Sequence, residues 1–417
     1  MRGQVDPRRL VASLTLVALM ATAAGCSSSS SATPAAGHRT PAPTVAPIRS
    51  TTTTTTNPSV TPTTVPVTVP HAAGWTLALT TLPPGGGFTS LACLSNTLCV
   101  AAGGGTTGSS ADLLSGAGVT VSWDGAVWSS PSVYFPAPAT GAVTQPVLPS
   151  IACTSGPLCV IVDGSGHQST GDGTNWSDPA PVGTPPPLPP NPSDPGPGRP
   201  GSRTLAVSCP SPTLCAVVDN TGHATTMRNH VWGTPQSFGT TQGTGGTRVS
   251  LYQGGRVGVS CPSPTSCTAV VGTTVLDWNG STWAAEAAPW TTALAPGTET
   301  PVSIACPTLT LCAVVNGDDI VVRDGGSWSP RQVLDPGRQL DSIACPTRSF
   351  CVAADDTGAV MTWNGSAWSG PAQVVPAASQ YPGNGVSVAC PSAQFCMVMN
   401  ADGDYATYNG PGTTAAP

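Results

Sequence analysis

Fourteen of the chain's 15 cysteines fall into seven pairs with one spacing, C-x5-C: Cys93/Cys99, Cys153/Cys159, Cys209/Cys215, Cys261/Cys267, Cys306/Cys312, Cys345/Cys351 and Cys390/Cys396. Thiols paired at a fixed spacing either ligate a metal or join as a disulfide. Zinc sites favour C-x2-C with His partners. An even count in an exported chain favours one disulfide per pair. A loop this short contributes roughly 2 kcal/mol per bridge through chain entropy. Cys26 is the thiol left over.

Carboxylates and imidazoles form a second set. Asp163 and His167 match Asp219 and His223 in repeat phase, and Asp318, Asp319, Asp355, Asp356, Asp402 and Asp404 fall in the same turn of later units. Such a ring suits a cation, a sugar or a basic partner, although Asp-x-x-Gly also simply makes turns. Asn400, Asp402 and Asp404 alternate like half a calcium loop with no distal Glu, so no metal is expected. Hydrolysis by paired carboxylates would draw on Glu286 and Glu299, the two glutamates. Arg203, Arg248, Arg256, Arg331 and Arg338 lie in or near the links between units. The chain holds no G-x-S-x-G elbow, phosphate loop or H-E-x-x-H. Neither catalytic residues nor a cofactor are expected.

The elements that carry these residues repeat. VSCPSPTLCAVVD (207–219), SIACPTLTLCAVV (303–315) and the later copies share one frame. Each unit reads as four short strands. Val302 to Cys306 is a first strand and Cys312 to Val315 a second; Ala359 to Trp363 is a third, running into Asn364-Gly365. Asn-Gly and Asp-Gly mark hairpins whose two central residues need positive φ. A Trp follows four residues after the Asp or Asn in Asp124…Trp128, Asp172…Trp176, Asn279…Trp283, Asp324…Trp328 and Asn364…Trp368. The third unit departs, with Asn229-His230 and an early Trp232. Seven four-stranded units imply an all-β, seven-bladed β-propeller over residues 73–417. The last unit lacks its Trp strand, and an orphan one, Gly74 to Leu79, precedes the first. The N-terminal strand is therefore expected to complete the last blade and close the ring.

Propeller geometry puts the Cys hairpins and Asp/Asn-Gly turns on one face. The Asp/His turns and the inter-blade links lie on the other. The links vary: Pro179 to Gly201, Pro235 to Arg256 and Pro289 to Thr300, with Gly103 to Gly118 as a long turn in the first blade. Insertions accumulate where a scaffold carries function, so a binding site is expected on the variable face.

Ahead of the repeats, Arg2, Arg8 and Arg9 precede an apolar stretch, Leu10 to Ala24, too short to span a bilayer comfortably. Residues 1–25 read as an export signal, with a poorly matched twin-Arg element at Arg8-Arg9. Residues 27–72 are rich in Ser, Thr and Pro, hold too little apolar surface to fold, and could extend on the order of 100 Å. All 14 basic residues are Arg, the net charge is −6, and no basic run follows the N-terminus, which argues against nucleic-acid binding.

Three resemblances follow. Ala23-Ala24-Gly25-Cys26 resembles the lipobox of bacterial lipoproteins, with Ala23 where that family has Leu. It implies cleavage before Cys26 and a diacylglycerol on its thiol; plain cleavage near Ala-x-Ala is the alternative. Ser122 to Trp128 and Ser169 to Trp176 resemble the Asp-box of sialidase-like propellers, where the motif is structural. The block 74–410 looks like the Cys-containing propeller repeats of secreted actinobacterial proteins. Together these imply a monomeric module held on the outer face of the membrane or in the cell wall, binding a glycan, peptide or envelope protein. A sialidase-like hydrolase or lyase is the alternative.

Overall fold

The computed structural model describes residues 73–410, except 80–86, 105–116, 137–148, 184–204, 239–256, 288–301, 380–384 and positions 155, 157, 165, 221 and 273. The expected signal segment, Cys26 and the 27–72 tether lie outside the described residues. So do most of the three long links and the middle of the first blade's long turn.

All the described regular structure is β, in seven antiparallel sheets. Blade 1 comprises Phe88–Ser95, Leu98–Gly104, Gly118–Trp123 and Ser132–Phe135, hydrogen-bonded in that order. The first strands of the other blades are Ser150–Cys153, Leu205–Ser211, Val257–Ser263, Val302–Ala305, Leu340–Thr347 and Val386–Ser392. Each first strand packs against the first strands of both neighbouring blades, and the last packs against the first. These seven strands are therefore the inner wall of a closed ring. In blade 7 the outermost strand is Trp75–Ala78, paired antiparallel with Tyr405–Tyr408 in the register Trp75↔Tyr408 to Ala78↔Tyr405. The orphan strand closes the ring, as the sequence implied.

The apolar side chains divide into seven clusters, each filling one seam between neighbouring blades. The second strands show why they read as continuous apolar runs. Cys159 and Ile161 point into the seam with blade 1, whereas Val160 and Val162 point into the seam with blade 3. Strand alternation sends successive side chains to opposite faces, and here both faces are buried.

A second device links the blades around the axis. An inner-strand serine in each of six blades accepts a backbone N–H from the next inner strand: Ile151 to Ser90 (3.1 Å), Val207 to Ser150 (3.2 Å), Cys261 to Ser208 (3.1 Å), Cys306 to Ser260 (2.9 Å), Ile343 to Ser303 (3.2 Å) and Val388 to Ser342 (3.2 Å). The Ser387 hydroxyl donates to the Thr89 carbonyl (3.0 Å) and completes the circle. Neighbouring inner strands are not joined in one sheet, so these side chains supply the polar partners that a ladder otherwise would.

Candidate functional site: the face of the aspartate turns

All seven Cys pairs are bridged within their own blade, with Cα atoms 3.9–4.1 Å apart across the hairpin of strands one and two. The bridge covers one end of the blade. Its second member (Cys99, Cys159, Cys215, Cys267, Cys312, Cys351 or Cys396) is buried in a seam. Cys215, fully buried, shows what this adds: it packs with Val160, Val207 and Met227 in the seam between blades 2 and 3. The spacing implied a pin for the hairpin alone, whereas these residues are also core, because strand two is covered on both faces. They are buried parts of the seams. The hairpin of strands three and four lies at the same end: Trp123, Trp278 and Trp363 pair directly with Cys99, Cys267 and Cys351.

That second hairpin corrects the expected turn type. In blades 1, 2, 4 and 6, positive φ falls on Gly125, Gly173, Gly280 and Gly365 alone. The preceding Asp or Asn caps the turn instead. Asp124 Oδ1 accepts the N–H groups of Ala126 (2.9 Å) and Val127 (2.8 Å), and Asn279 and Asn364 do the same two and three residues on. The N–H groups of Val127 and Ala126 lower the Asp124 carboxyl from its ordinary value. Those of Asn175 and Thr174, with the Asn175 side chain, hold Asp172 well below the carboxylate range. The two-residue turn with both φ positive occurs where the motif breaks, at Asn229-His230 (48° and 66°) and at Gly325-Gly326 (64° and 101°). Asp324 therefore caps nothing in its own turn and pairs with Arg348 of blade 6 at 3.0 Å.

The expected fourth strand is also interrupted. After the Trp, Ser129, Ser177, Ser329 and Ser369 each donate a backbone N–H to strand three. The hydroxyls of all four also accept an N–H from that strand. A proline follows within two residues, at Pro131, Pro179, Pro330 and Pro371. Proline on an outer strand removes a donor from the exposed edge. The Trp-Ser pair followed directly or one residue later by Pro is the signal of this interruption in the sequence. In blade 4 the outer strand, Trp283–Ala287, runs unbroken.

The opposite end carries the predicted face. Counting from the second Cys, the fourth residue is Gly103, Asp163, Asp219, Val271, Asn316, Asp355 or Asn400. The side chains of Asp163, Asp219, Asp355 and Asn400 serve their own turns. Asp163 and Asp219, 2 % and 5 % exposed, each accept the backbone N–H of the His four residues on, at 2.9 Å. The rings of His167 and His223 lie beside the same carboxylates, with Nδ1 to Oδ1 distances of 3.9 and 3.4 Å. Asp355, 1 % exposed, accepts from Thr357 N (2.9 Å), Thr357 Oγ1 (2.9 Å) and Ala359 N (2.8 Å). In blade 7 the capping residue is Asn400, whose Oδ1 accepts the Asp404 N–H at 2.9 Å. Asp402 instead clamps the Ser379 N–H (2.6 Å) and hydroxyl (2.9 Å). In blade 5, Asp318 accepts the Gly337 N–H (3.2 Å) and Asp319 pairs with Arg331. Asp356 is exposed at the tip of its turn. The Asp and His residues thus share one rim, blade by blade, rather than converging on one point. Burial, and then the Asp163 charge, push the neighbouring Tyr134 hydroxyl above its ordinary range, so it stays protonated.

Among the described residues, no group of three or more His, Cys, Asp or Glu is placed to hold a metal ion. Glu286 lies on the outer strand of blade 4. Its Oε1 accepts the Trp328 indole N–H (3.3 Å) and sits 3.8 Å from Arg323. Arg323 donates two hydrogen bonds to Asp277 (2.7 and 2.9 Å) and stacks over the Trp328 ring at 5.1 Å. This group ties blade 5 to blade 4. Arg331 and Arg338 lie on the predicted face between blades 5 and 6; Glu299, Arg203, Arg248 and Arg256 lie outside the described residues.

No protein-family model matches the chain, and no curated protein matches it in sequence. Solved β-propellers match its fold. The streptogramin B lyase structure is 10% identical with a TM-score of 0.54, covering 80% of this chain and 96% of that one. The WD40 β-propeller domain of Doa1 is 12% identical with a TM-score of 0.53, covering 80% and 96%. YCF48 from Cyanidioschyzon merolae is 14% identical with a TM-score of 0.51, covering 81% and 99%. At such identities the likeness defines architecture. The chain is a seven-bladed β-propeller with one disulfide in each blade.

Proposed function

We propose that this propeller is a binding module displayed at the cell envelope. In this reading acyl chains on Cys26 hold it at the outer face of the membrane, residues 27–72 reach outward, and a single ring presents the face of the aspartate turns to a glycan, peptide or envelope protein. One observation carries the orientation. Trp75, where the chain enters the ring, pairs with Tyr408, and Tyr408 pairs with Cys396 of the last disulfide. The chain therefore enters the ring at the cystine end, which leaves the opposite face clear of that entry point.

The long links support the same choice. Leu205 and Val257, the first residues of the inner strands that follow two of them, pair with Asp219 and Val271 at the aspartate-turn end. The inserted segments thus rejoin the ring on that face. Fold likeness extends both to a lyase and to a WD40 domain, so it does not choose between catalysis and binding. The choice rests on a rim of turn-forming carboxylates with no convergent catalytic set among the described residues.

The test is retention of the full mature chain on a glycan array and on cell-wall and membrane fractions. Binding is expected to fall with substitutions at His167, Arg338 and Asp356 and to persist with substitutions at Val127 and Ser366 on the cystine side. No retained ligand, or binding lost only on the cystine side, overturns the reading. Mass spectrometry of the mature N-terminus checks the acylation of Cys26.

A further inference from the structure

The residue paired opposite the second Cys of each bridge differs in one blade. It is Trp123, Gly171, Met227, Trp278, Trp363 or Tyr408 in six blades, and Arg323, opposite Cys312, in blade 5. Arg323 Nη2 lies 3.8 Å from Cys312 Sγ. A guanidinium thus stands where the other blades place an uncharged residue.

The hairpin around this bridge differs too. The ladder of strands one and two runs past the bridge to Ser95↔Leu98, Ser211↔Leu214, Ser263↔Ser266, Thr347↔Phe350 and Ser392↔Phe395, and in blade 2 it reaches Cys153↔Cys159. In blade 5 it stops short of the bridge, at Ala305↔Ala313. Leu309 and Thr310 in the tip are exposed, and Thr310 Oγ1 accepts from a second guanidinium, that of Arg348 (3.3 Å). Backbone ladders resist local opening, so this hairpin opens most readily.

We propose that Cys306–Cys312 is the thiol-exchange site of the ring, the bridge that a dithiol reductant opens in the folded protein. A thiolate attacks and a thiolate leaves in such an exchange, and neighbouring cations favour both. The reductant's thiolate attacks Sγ of Cys306, the less buried of the two residues (7 % against 2 % exposed). The Cys306–Cys312 bond breaks, a mixed disulfide forms on Cys306, and the bonding pair leaves on Cys312 Sγ beside Arg323. The second thiolate of the dithiol then attacks the mixed disulfide and closes the reductant's own disulfide. Cys306 departs as a thiolate and takes a proton from water. Two electrons pass from the dithiol to the cystine.

The same guanidinium clasps the seam with blade 4. Arg323 bonds to Asp277 and Thr268, with Glu286 3.8 Å away and the Trp328 ring against it. Cys306 and Cys312 belong to the apolar cluster of that seam. Opening the bridge therefore frees a hairpin that packs on blade 4 and adds an anion to the arginine that holds it. The site lies on the cystine side, away from the face proposed for binding, and does not depend on that reading.

The test blocks free thiols of the full chain, exposes it to dithiothreitol under native conditions, and labels the newly formed thiols for mass spectrometry of each peptide. Cys306 and Cys312 should be labelled about three- to ten-fold faster than Cys153 and Cys159, where the ladder also has no rung beyond the bridge but Gly171 stands opposite. Arg323→Gln separates charge from packing. It loosens the seam, which alone would speed labelling, yet it removes the cation and should slow labelling to about the rate of the blade 2 bridge. Arg323→Lys keeps the charge and should keep most of the preference. In Cys306→Ser, the lone Cys312 should react with iodoacetamide with a pH midpoint below the ordinary thiol value of about 8.5, and adding Arg323→Gln should move it up. The order of reduction in the wild-type chain needs no cysteine substitution. Reduction of Cys306–Cys312 no faster than of Cys153–Cys159, labelling unchanged or accelerated in Arg323→Gln, or an ordinary Cys312 midpoint each overturns the site.

Discussion

Trp75 lies across the last sheet from Tyr408, ring centroids 5.5 Å apart and tilted by 45°, so the first described strand and the last are one contact. Trp75 is 6 % exposed, and Gly74 before it has φ +86° with no room for a side chain; a Cβ there would meet the Tyr408 ring at 2.7 Å. Trp75→Ala should cost about 3–5 kcal/mol, and Gly74→Ala should destabilise through both clash and backbone strain. Thermal unfolding measures the loss. Hydrogen exchange should place it first at Tyr405–Tyr408, and equal protection there in wild type and variant would show that the strand does not close the ring.

The turn caps make an acid-stability prediction. The depressed Asp172 carboxyl has a folded-state value below the unfolded one. Its contribution is therefore present above the ordinary 3.8 and is lost as pH falls through and below it. Asp172→Asn keeps an acceptor for the same N–H groups, as Asn279 and Asn364 do at that position. It should unfold with a smaller loss of Tm between neutral and acid pH than wild type. Asp172→Ala should lower Tm at neutral pH. Identical acid profiles for wild type and Asp172→Asn would contradict the assignment.

The serine circle predicts a penalty at residues that look dispensable. Ser342→Ala leaves the Val388 N–H without its acceptor and should cost about 1–3 kcal/mol. Ser130→Ala, exposed on an outer segment, should stay within about 0.5 kcal/mol. Denaturant midpoints distinguish the two. Equal midpoints would mean that the circle adds nothing to the inner wall.

The seam between blades 4 and 5 should respond to Arg323. Arg323→Ala removes a bidentate contact to Asp277 and a stacked ring contact, and should cost about 1.5–3 kcal/mol. Arg323→Lys should recover only part of this because the fork geometry is lost. A double-mutant cycle with Asp277→Asn measures the pair. A coupling energy near zero would show that the Arg323–Asp277 pair does not hold the seam.

The ring's architecture was legible because its signals are periodic. The third strand read as Ala359 to Trp363 is Ala359–Trp363 in the structure. The second strand read as Cys312 to Val315 gains one residue at each end, as Leu311–Asn316. Ring closure was legible from one surplus and one missing strand. The turn chemistry was less so, because Asp-Gly supports two geometries. Only the structure separates the cap of Asp124 from the two-residue turn at Gly325-Gly326. The serine circle was hidden by its own offset: Ser303 and Ser342 lie three residues before a Cys, but Ser208 and Ser260 lie one before. Arg323 and Asp277 meet because of how neighbouring strands come together in space. No single-unit periodicity reports such contacts.

The placement of Trp75 also decides how the ring would respond to being pulled. Take tension applied through the residues before Gly74 and directed along the Trp75–Ala78 strand. All four rungs to Tyr405–Tyr408 would then resist in shear instead of parting one at a time. Rupture would free blade 7's outer edge while its Cys390–Cys396 bridge, one strand further in, kept the rest of that blade pinned. The closing strand would thus yield before the disulfide-pinned inner strands.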